Sequence, residues 1–135
     1  TKSGKPEGLL RYNTAYNTTK IFRHISDDST SLQTDSVYTI YKDSKNRLLF
    51  GAENGLSVSN PSSEAFINYI IKDKKIRPDD NQVWLLAENE SGNFWCGNQF
   101  NLFLFDAKTK TFSRYTPNEK DPEALQPGVY NDLLT

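Results

Sequence analysis

The sequence has few of the residues that bind metals or carry redox chemistry: its 135 residues include one cysteine, one histidine and no methionine. The lone Cys96 excludes an internal disulfide, and no Cys or His cluster has metal-ligand spacing. No apolar run approaches the roughly 18 residues of a membrane span, and no signal peptide is present. We therefore expect no metal, no cofactor and no direct membrane contact here; any targeting signal or anchor would lie outside this segment.

An excess of charge of either sign is also absent. Sixteen basic and seventeen acidic residues are interspersed along the chain and give a net charge of −1. Such a balance provides no broad basic surface, so no nucleic acid partner is expected. Phosphate-binding glycine loops, Gly-x-Ser-x-Gly elbows and His-Glu-x-x-His motifs are missing too. The acidic pairs Asp27-Asp28 and Asp79-Asp80 and the single His24 are explained as well by solvated turns and a strand edge as by catalysis.

What the sequence does contain is an internal repeat. An offset of 46 residues superposes five pairs without a gap, and a further step takes Val83 to Val129. The pairs are Val37 with Val83, Gly51 with Gly97, Leu56 with Leu102, Phe66 with Phe112, and Tyr69 with Tyr115. A repeat of about 40 to 50 residues that is rich in strand signals is typical of a β-propeller blade.

Each repeat contains four short segments that read as strands, separated by turn residues such as Asn46 and Gly92. The predicted strands are 37–41, 47–51, 56–59 and 66–71 in one repeat, and 83–87, 93–97, 102–105 and 111–115 in the next. Four antiparallel strands make one blade. The apolar motifs also predict that Trp84, Trp95 and Cys96 are buried between blades.

Extending the register predicts partial blades at both ends. Residues 8–13 and 20–25 match a third and a fourth strand, and 129–134 match a first strand. We therefore predict an all-β chain of β-propeller blades, divided into half a blade (1–25), two full blades (26–72 and 73–115) and the first strand of another (116–135). Two blades cannot close a ring. Remaining propeller blades, or other copies of the chain that pair their C-terminal strand with the N-terminal half-blade, are expected to cover the ends.

These motifs resemble the two-component regulator propeller repeat. One blade has Ser31-Leu32, Val37, Asp43, Gly51, Gly55-Leu56, Asn60 and Phe66 to Tyr69, and the next has Val83, Gly92, Phe94-Trp95-Cys96-Gly97, Asp106, Phe112 to Tyr115 and Ala124-Leu125. The chain departs from the family pattern where Leu49 replaces Trp, Ala52 and Asn98 replace Thr, and Asn101-Leu102 replaces Gly-Leu.

The resemblance implies a non-enzymatic sensor segment of a Bacteroidetes hybrid two-component protein. In that family the propeller is periplasmic, belongs to a homodimeric inner-membrane protein, and often recognises an oligosaccharide and signals to a histidine kinase across the membrane. Two alternatives stay open. One is a protein-interaction scaffold, because the fold alone says little about function; the other is a carbohydrate-active enzyme whose acids come from blades outside this sequence.

Ligands of propellers usually bind the face formed by the loops that enter the first strand and the loops that join the second and third strands. Amide groups there can donate to and accept from sugar hydroxyls, and an aromatic ring can cover the sugar's apolar side. The predicted ligand-binding residues are Asp35, Glu53, Asn54, Asn81, Gln82, Asn98, Gln99, Phe100 and Asn101. The basic connection at 72–77 reads either as a solvated loop or as a contact for an anionic glycan.

Overall fold

The computed structural model describes residues 4–5, 7–60, 62–116 and 120–123. Within these residues the chain forms ten strands and one short 3-10 turn at Pro78–Asp80. The strands are β1 (Leu9–Asn13), β2 (Thr18–Phe22), β3 (Val37–Lys42), β4 (Leu48–Ala52), β5 (Gly55–Ser59), β6 (Phe66–Ile70), β7 (Leu85–Glu88), β8 (Phe94–Gly97), β9 (Leu102–Asp106) and β10 (Thr111–Arg114).

The strands form two four-stranded antiparallel sheets and a hairpin. The sheets have the sequential orders β3-β4-β5-β6 and β7-β8-β9-β10, and β1 pairs with β2. These are two propeller blades beside part of a third, which confirms the predicted all-β fold. β3 and β7 are the inner strands and lie next to each other. The predicted first strand at 129–134 lies outside the described residues, and the division of the chain into four segments stays a prediction.

Most strand boundaries differ from the predicted ones by a residue or more, and local hydrogen bonds explain two of the larger shifts. β7 begins at Leu85 rather than Val83, because the Val83 N–H donates to the Ala52 carbonyl of the preceding blade at 2.9 Å. β2 ends at Phe22 rather than residue 25, because the next N–H groups bond side chains instead of a strand. The His24 N–H donates to the Asp35 carboxylate and the Ile25 N–H to the Ser31 hydroxyl.

The main core lies between the two blades. Leu49 and Leu56 of one blade and Phe94, Cys96 and Phe103 of the other are at most 1% exposed. Because side chains alternate across a strand, the neighbour of Leu49 faces the opposite side. The first full sheet is thus covered on both faces, which explains its continuous apolar runs. The burial predicted for Cys96 is confirmed, and this burial raises the pKa of its thiol.

A second, smaller core joins the β1-β2 hairpin to the first full blade. Leu32, Phe50 and Phe66 are buried there, and Leu9 and Phe22 of the hairpin pack against them. The rings of Phe22 and Phe66 meet edge to face with centroids 5.6 Å apart. The hairpin therefore occupies the position of a preceding blade.

The turns between first and second strands use the same device in both blades. Asp43 accepts backbone hydrogen bonds from Lys45 and Arg47, and Asn89 does the same for the residues two and four positions on. Asp43 adds an ion pair of 2.8 Å with the Arg47 Nε. Burial alone would raise the pKa of Asp43, but the bonds and charge of Arg47 and the Lys45 N–H hold it below its ordinary value.

We expect Leu56→Ala to lower the free energy of unfolding by about 2 to 5 kcal/mol, because it leaves a cavity in the core between the blades. Ile67→Ala is the matched control, since Ile67 is 50% exposed on the outer strand; its effect should stay under about 1 kcal/mol. Urea unfolding measures both. Equal effects of the two substitutions would contradict the assigned core.

We expect Asp43→Asn to lower the free energy of unfolding by about 1 kcal/mol at neutral pH, because the amide keeps the turn's backbone bonds but loses the Arg47 ion pair. The pKa of Asp43 is lower in the folded chain. Its ionised form therefore stabilises the fold above the ordinary carboxyl pKa, and this contribution is lost as pH falls through the lowered value.

The difference between wild type and Asp43→Asn should consequently shrink below about pH 4 in urea unfolding measured over a pH series. Glu90→Gln provides the control, because Glu90 is an exposed carboxylate in the corresponding turn of the next blade. A difference for Asp43→Asn that is constant with pH would disprove the role of the ion pair.

Candidate functional site

Loops from both blades meet at one end of the sheets. The Ile71 N–H donates to the Asn54 carbonyl at 2.9 Å, the Asn81 amide donates to the Ile71 carbonyl at 3.3 Å, and the Asn98 amide donates to the Gln82 carbonyl at 2.7 Å. These bonds tie the connection between the blades to the β4-β5 and β8-β9 turns. We call this surface the loop face; it comprises residues 34–38, 53–54, 71–84 and 98–101.

Asn98 holds the loop face together. Its side chain is buried, its amide donates to the carbonyls of Asp80 and Gln82 at 2.8 and 2.7 Å, and its Oδ1 accepts from the N–H groups of Phe100 and Asn101 at 2.9 and 3.1 Å. Four bonds to backbone fill the ordinary capacity of the amide. Asn98 therefore positions its neighbours, and its predicted contact with a ligand would require these bonds to open.

Two predicted acidic residues lie on the part of the loop face nearest the hairpin. Asp35 accepts the backbone N–H of His24 at 2.7 Å and lies 4.0 Å from the guanidinium of Arg23. Glu53 is exposed, and it accepts the Thr34 hydroxyl at 3.1 Å. Glu53 thus keeps carboxylate surface available to solvent, whereas Asp35 is partly committed to the fold.

The remaining predicted residues surround the turn centred on Asn98. Phe100 is 60% exposed at the tip of the turn, and Gln99, Asn54 and Asn101 are half-buried. The Asn81 Oδ1 is buried, and among the described residues it has no hydrogen-bond partner. The structure therefore brings most of the predicted polar residues to one face. Gln82, Phe100 and Asn101 are held there by bonds from their backbone groups to the side chain of Asn98.

An aromatic pair that the sequence prediction missed lies beside these groups. Tyr38 and Trp84 occupy the same position of successive repeats, their ring centroids are 5.8 Å apart, and they are 44% and 40% exposed. The prediction that Trp84 is core is wrong. It follows Val83, whose N–H donates to the Ala52 carbonyl of the adjacent blade, and it lies at the inner edge, where no strand of the described residues covers its ring. Trp95 is half-buried and packs against Tyr115.

The phenol of Tyr38 is a hydrogen-bonding group at this edge. Partial burial raises the pKa of Tyr38, the nearby Glu53 carboxylate raises it further, and a hydrogen bond with Ser36 opposes them. The phenol therefore stays protonated at neutral pH and can donate a hydrogen bond. By repeat register Gln99 is the counterpart of Glu53.

A sequence signal for this pair existed. An aromatic residue follows the valine that begins each repeat, as Tyr38, Trp84 and Tyr130; Tyr130 lies outside the described residues. Three aromatic residues at one register position of an inner strand indicate a shared environment. The sequence prediction missed this signal, because the apolar run around each aromatic residue is equally consistent with a strand buried on both faces.

The described part of the chain contains neither a metal-like cluster nor a membrane-spanning helix. No three His, Cys, Asp or Glu side chains among the described residues are grouped so that they could hold a metal ion. No helix there is long and apolar enough to cross a bilayer. The side chains of the loop face carry aromatic, amide, hydroxyl, carboxylate and cationic groups.

The loop face is an open surface on adjacent propeller blades, and known structures share the fold. No protein-family model and no curated protein matches the sequence. The extracellular domain of the proposed hybrid two-component system BT3049 of B. thetaiotaomicron superposes on 82% of this chain, with a TM-score of 0.69 and 19% identity.

Two structures of the extracellular domain of BT4673 from the same organism, described once as a one-component and once as a hybrid two-component system, superpose on 97% of the chain with a TM-score of 0.51 and 14% identity. The chain spans 15% of the BT3049 structure and 23% of the BT4673 structures. At these identities the likeness establishes the fold, and the neighbours agree with the resemblance seen in the sequence.

We expect Asn98→Ala to lower the free energy of unfolding by about 1 to 3 kcal/mol, because the partly buried carbonyls of Asp80 and Gln82 and two N–H groups lose their partner. Asn101→Ala is the matched control, since within the described residues Asn101 forms its hydrogen bonds through its backbone N–H and carbonyl. Its effect should be within about 0.5 kcal/mol. Chemical unfolding distinguishes them, and a neutral Asn98→Ala would refute the positioning role.

Proposed function

We propose that this chain is a non-enzymatic sensor segment of a periplasmic propeller domain, and that it recognises an oligosaccharide. The observation that carries the proposal is the exposed pair of Tyr38 and Trp84 beside polar loop residues. The structural neighbours support the sensor role, since they are extracellular domains of two-component systems.

The chemistry of the loop face suits a sugar. An aromatic ring offers a flat apolar surface to the C–H face of a sugar, and amide, carboxylate and hydroxyl groups bond its hydroxyls. Tyr38 and Trp84 supply two adjacent rings. Glu53, Thr34 and Gln99 supply acceptors and donors within the same loops. A ligand there would contact both blades at once.

Signalling follows from differential binding. In the proposed parent, an inner-membrane homodimer, the ligand shifts the equilibrium between two arrangements and so controls a histidine kinase on the far side of the membrane. It can shift that equilibrium only by the difference between its affinities for the two arrangements. A site shared by two blades is suited to this, because its geometry depends on how the blades are placed.

A surface for further protein contact supports part of this proposal. On the hairpin, Leu10, Tyr12 and Ile21 are 64%, 53% and 50% exposed. Another blade of the parent, or another copy of the chain, is the proposed partner of this surface, because apolar area of this kind is costly in water.

We expect Trp84→Ala and Tyr38→Ala to weaken binding of an oligosaccharide by at least about tenfold each, the loss that follows from removing one stacked ring. A thermal-shift screen of neutral and anionic oligosaccharides identifies the ligand, which at about 100 times its dissociation constant adds about 2.7 kcal/mol of stability. Calorimetric titration then compares the variants.

Trp95→Phe is the control for Trp84→Ala, since residue 95 packs against Tyr115 rather than beside Tyr38. It should leave affinity unchanged. Silence across the panel would refute the oligosaccharide and favour a scaffold, and wild-type affinity in both ring variants would place binding elsewhere.

A further inference from the structure

A cationic pocket lies at the outer end of the loop face, between the two full blades. Its volume is about 400 Å³. The floor is apolar, and the rim carries charged residues from the connection that follows β6 and from the end of β10. The residues that line it include Lys72, Asp73, Lys74, Lys75, Phe112 and Arg114.

The charge of this pocket is unlike that of the rest of the chain. Three lysines and one arginine line it beside a single carboxylate, whereas the whole sequence carries a net charge of −1. Lys72, Lys74 and Lys75 form no ion pair within the part of the chain that the structure describes. Clustered cations repel one another, so their proximity favours a bound anion.

Asp73 organises the pocket rather than neutralising it. One of its oxygens accepts the Lys75 backbone N–H at 2.8 Å, and the other lies 3.2 Å from the Arg114 Nε. This contact uses one edge of the guanidinium. The terminal N–H groups of Arg114 form no bond within the described residues, and a planar guanidinium binds the paired oxygens of sulfate or carboxylate well.

The apolar floor adds a second requirement. Ile71 and Phe103 are buried beneath the charged rim, and the half-buried ring of Phe112 lies beside them. Of these three side chains only the Phe112 ring keeps surface open to solvent, and a small inorganic anion would leave it in contact with water. An anionic group carried on a sugar ring would bond the rim and cover the Phe112 ring.

We propose that this pocket binds the sulfate or carboxylate group of an acidic sugar, so that the recognised glycan is anionic. This inference rests on the proposed function and extends it. The connection that carries Lys72 and Lys75 continues to Trp84, and the Asn81 amide bonds the Ile71 carbonyl on the way. The connection therefore links the two sites, and the proposal requires a single chain of sugars to reach from one to the other.

Saturation-transfer difference NMR tests the pocket on the longest obtainable polypeptide that contains this segment. The probes are glucose 6-sulfate, glucuronate and glucose. We expect saturable binding of at least one of the two anions, and binding of glucose at least about tenfold weaker, because charge-assisted bonds to the rim are lost. Whichever anion binds more tightly identifies the acidic group that the pocket accepts.

Substitution locates the binding. A triple variant with Lys72→Gln, Lys75→Gln and Arg114→Gln should weaken the anion by at least about tenfold. Lys42→Gln, Lys45→Gln and Lys108→Gln together are the matched control for loss of three charges, since all three lysines are exposed and none lines the pocket. This control should have no effect on binding. Lys72→Glu alone should also weaken binding of the anion. Because Lys72 is exposed, this single variant should fold normally and keeps the test valid if the triple variant misfolds.

The inference is overturned if neither anion binds, if glucose binds as tightly, or if the control weakens the anion as much as the pocket variant does. These outcomes are separable from failure of the proposed function. If a neutral oligosaccharide binds and requires Trp84 but not the lysines, the proposed function is supported and the anion pocket is refuted. If an anion binds at the pocket while no oligosaccharide requires Trp84, the pocket is supported and the proposed function is refuted.

Discussion

The packing of one sheet on the next is the constraint from which the rest of this structure follows. The first full sheet buries both of its faces, so adjacent positions such as Leu49 and Phe50 belong to different cores. Apolar burial of this extent is the dominant favourable contribution to folding. Because the sheets pack face to face, the turns of adjacent blades come together at the ends of the strands. At the inner edge, no strand of the described residues covers Tyr38 and Trp84. The loop face and its aromatic pair are consequences of that arrangement.

Divergence between the blades gives the loop face its character. In the first full blade Ser57 donates to the Asn68 side chain at 2.7 Å, and Asn68 in turn bonds the carbonyl of Ser31, which closes a polar network. The repeat places Phe103 and Arg114 at the positions of Ser57 and Asn68 in the next blade. An internal network is thereby replaced by an apolar floor and a cation that reaches toward Asp73. The same strand positions thus bind the preceding connection in the first full blade, through Asn68 and Ser31, and line the pocket in the second.

The sequence was sufficient for the fold but only partly for the site. The repeat predicted the strands and their order, since backbone pairing follows from local pattern and turn residues such as Asn46. It did not predict that Trp84 is exposed, because a strand buried on both faces and an inner strand with one open edge have the same apolar run. Nor did it predict that Asn98 is committed to the backbone. The composition of a loop indicates polar groups, whereas their hydrogen bonds depend on residues far away in sequence, such as Asp80.

The connection between the blades is the element through which a ligand would act. It begins at Ile71, which is buried in the core, and it reaches the inner edge at Trp84. Asn98 and Asn54 bond it along the way. A ligand that contacts both ends would be bound most tightly when the two blades hold this connection at one length and one orientation. Binding energy would then favour one placement of the blades over another, and such a difference in affinity is the only means by which a ligand shifts an equilibrium.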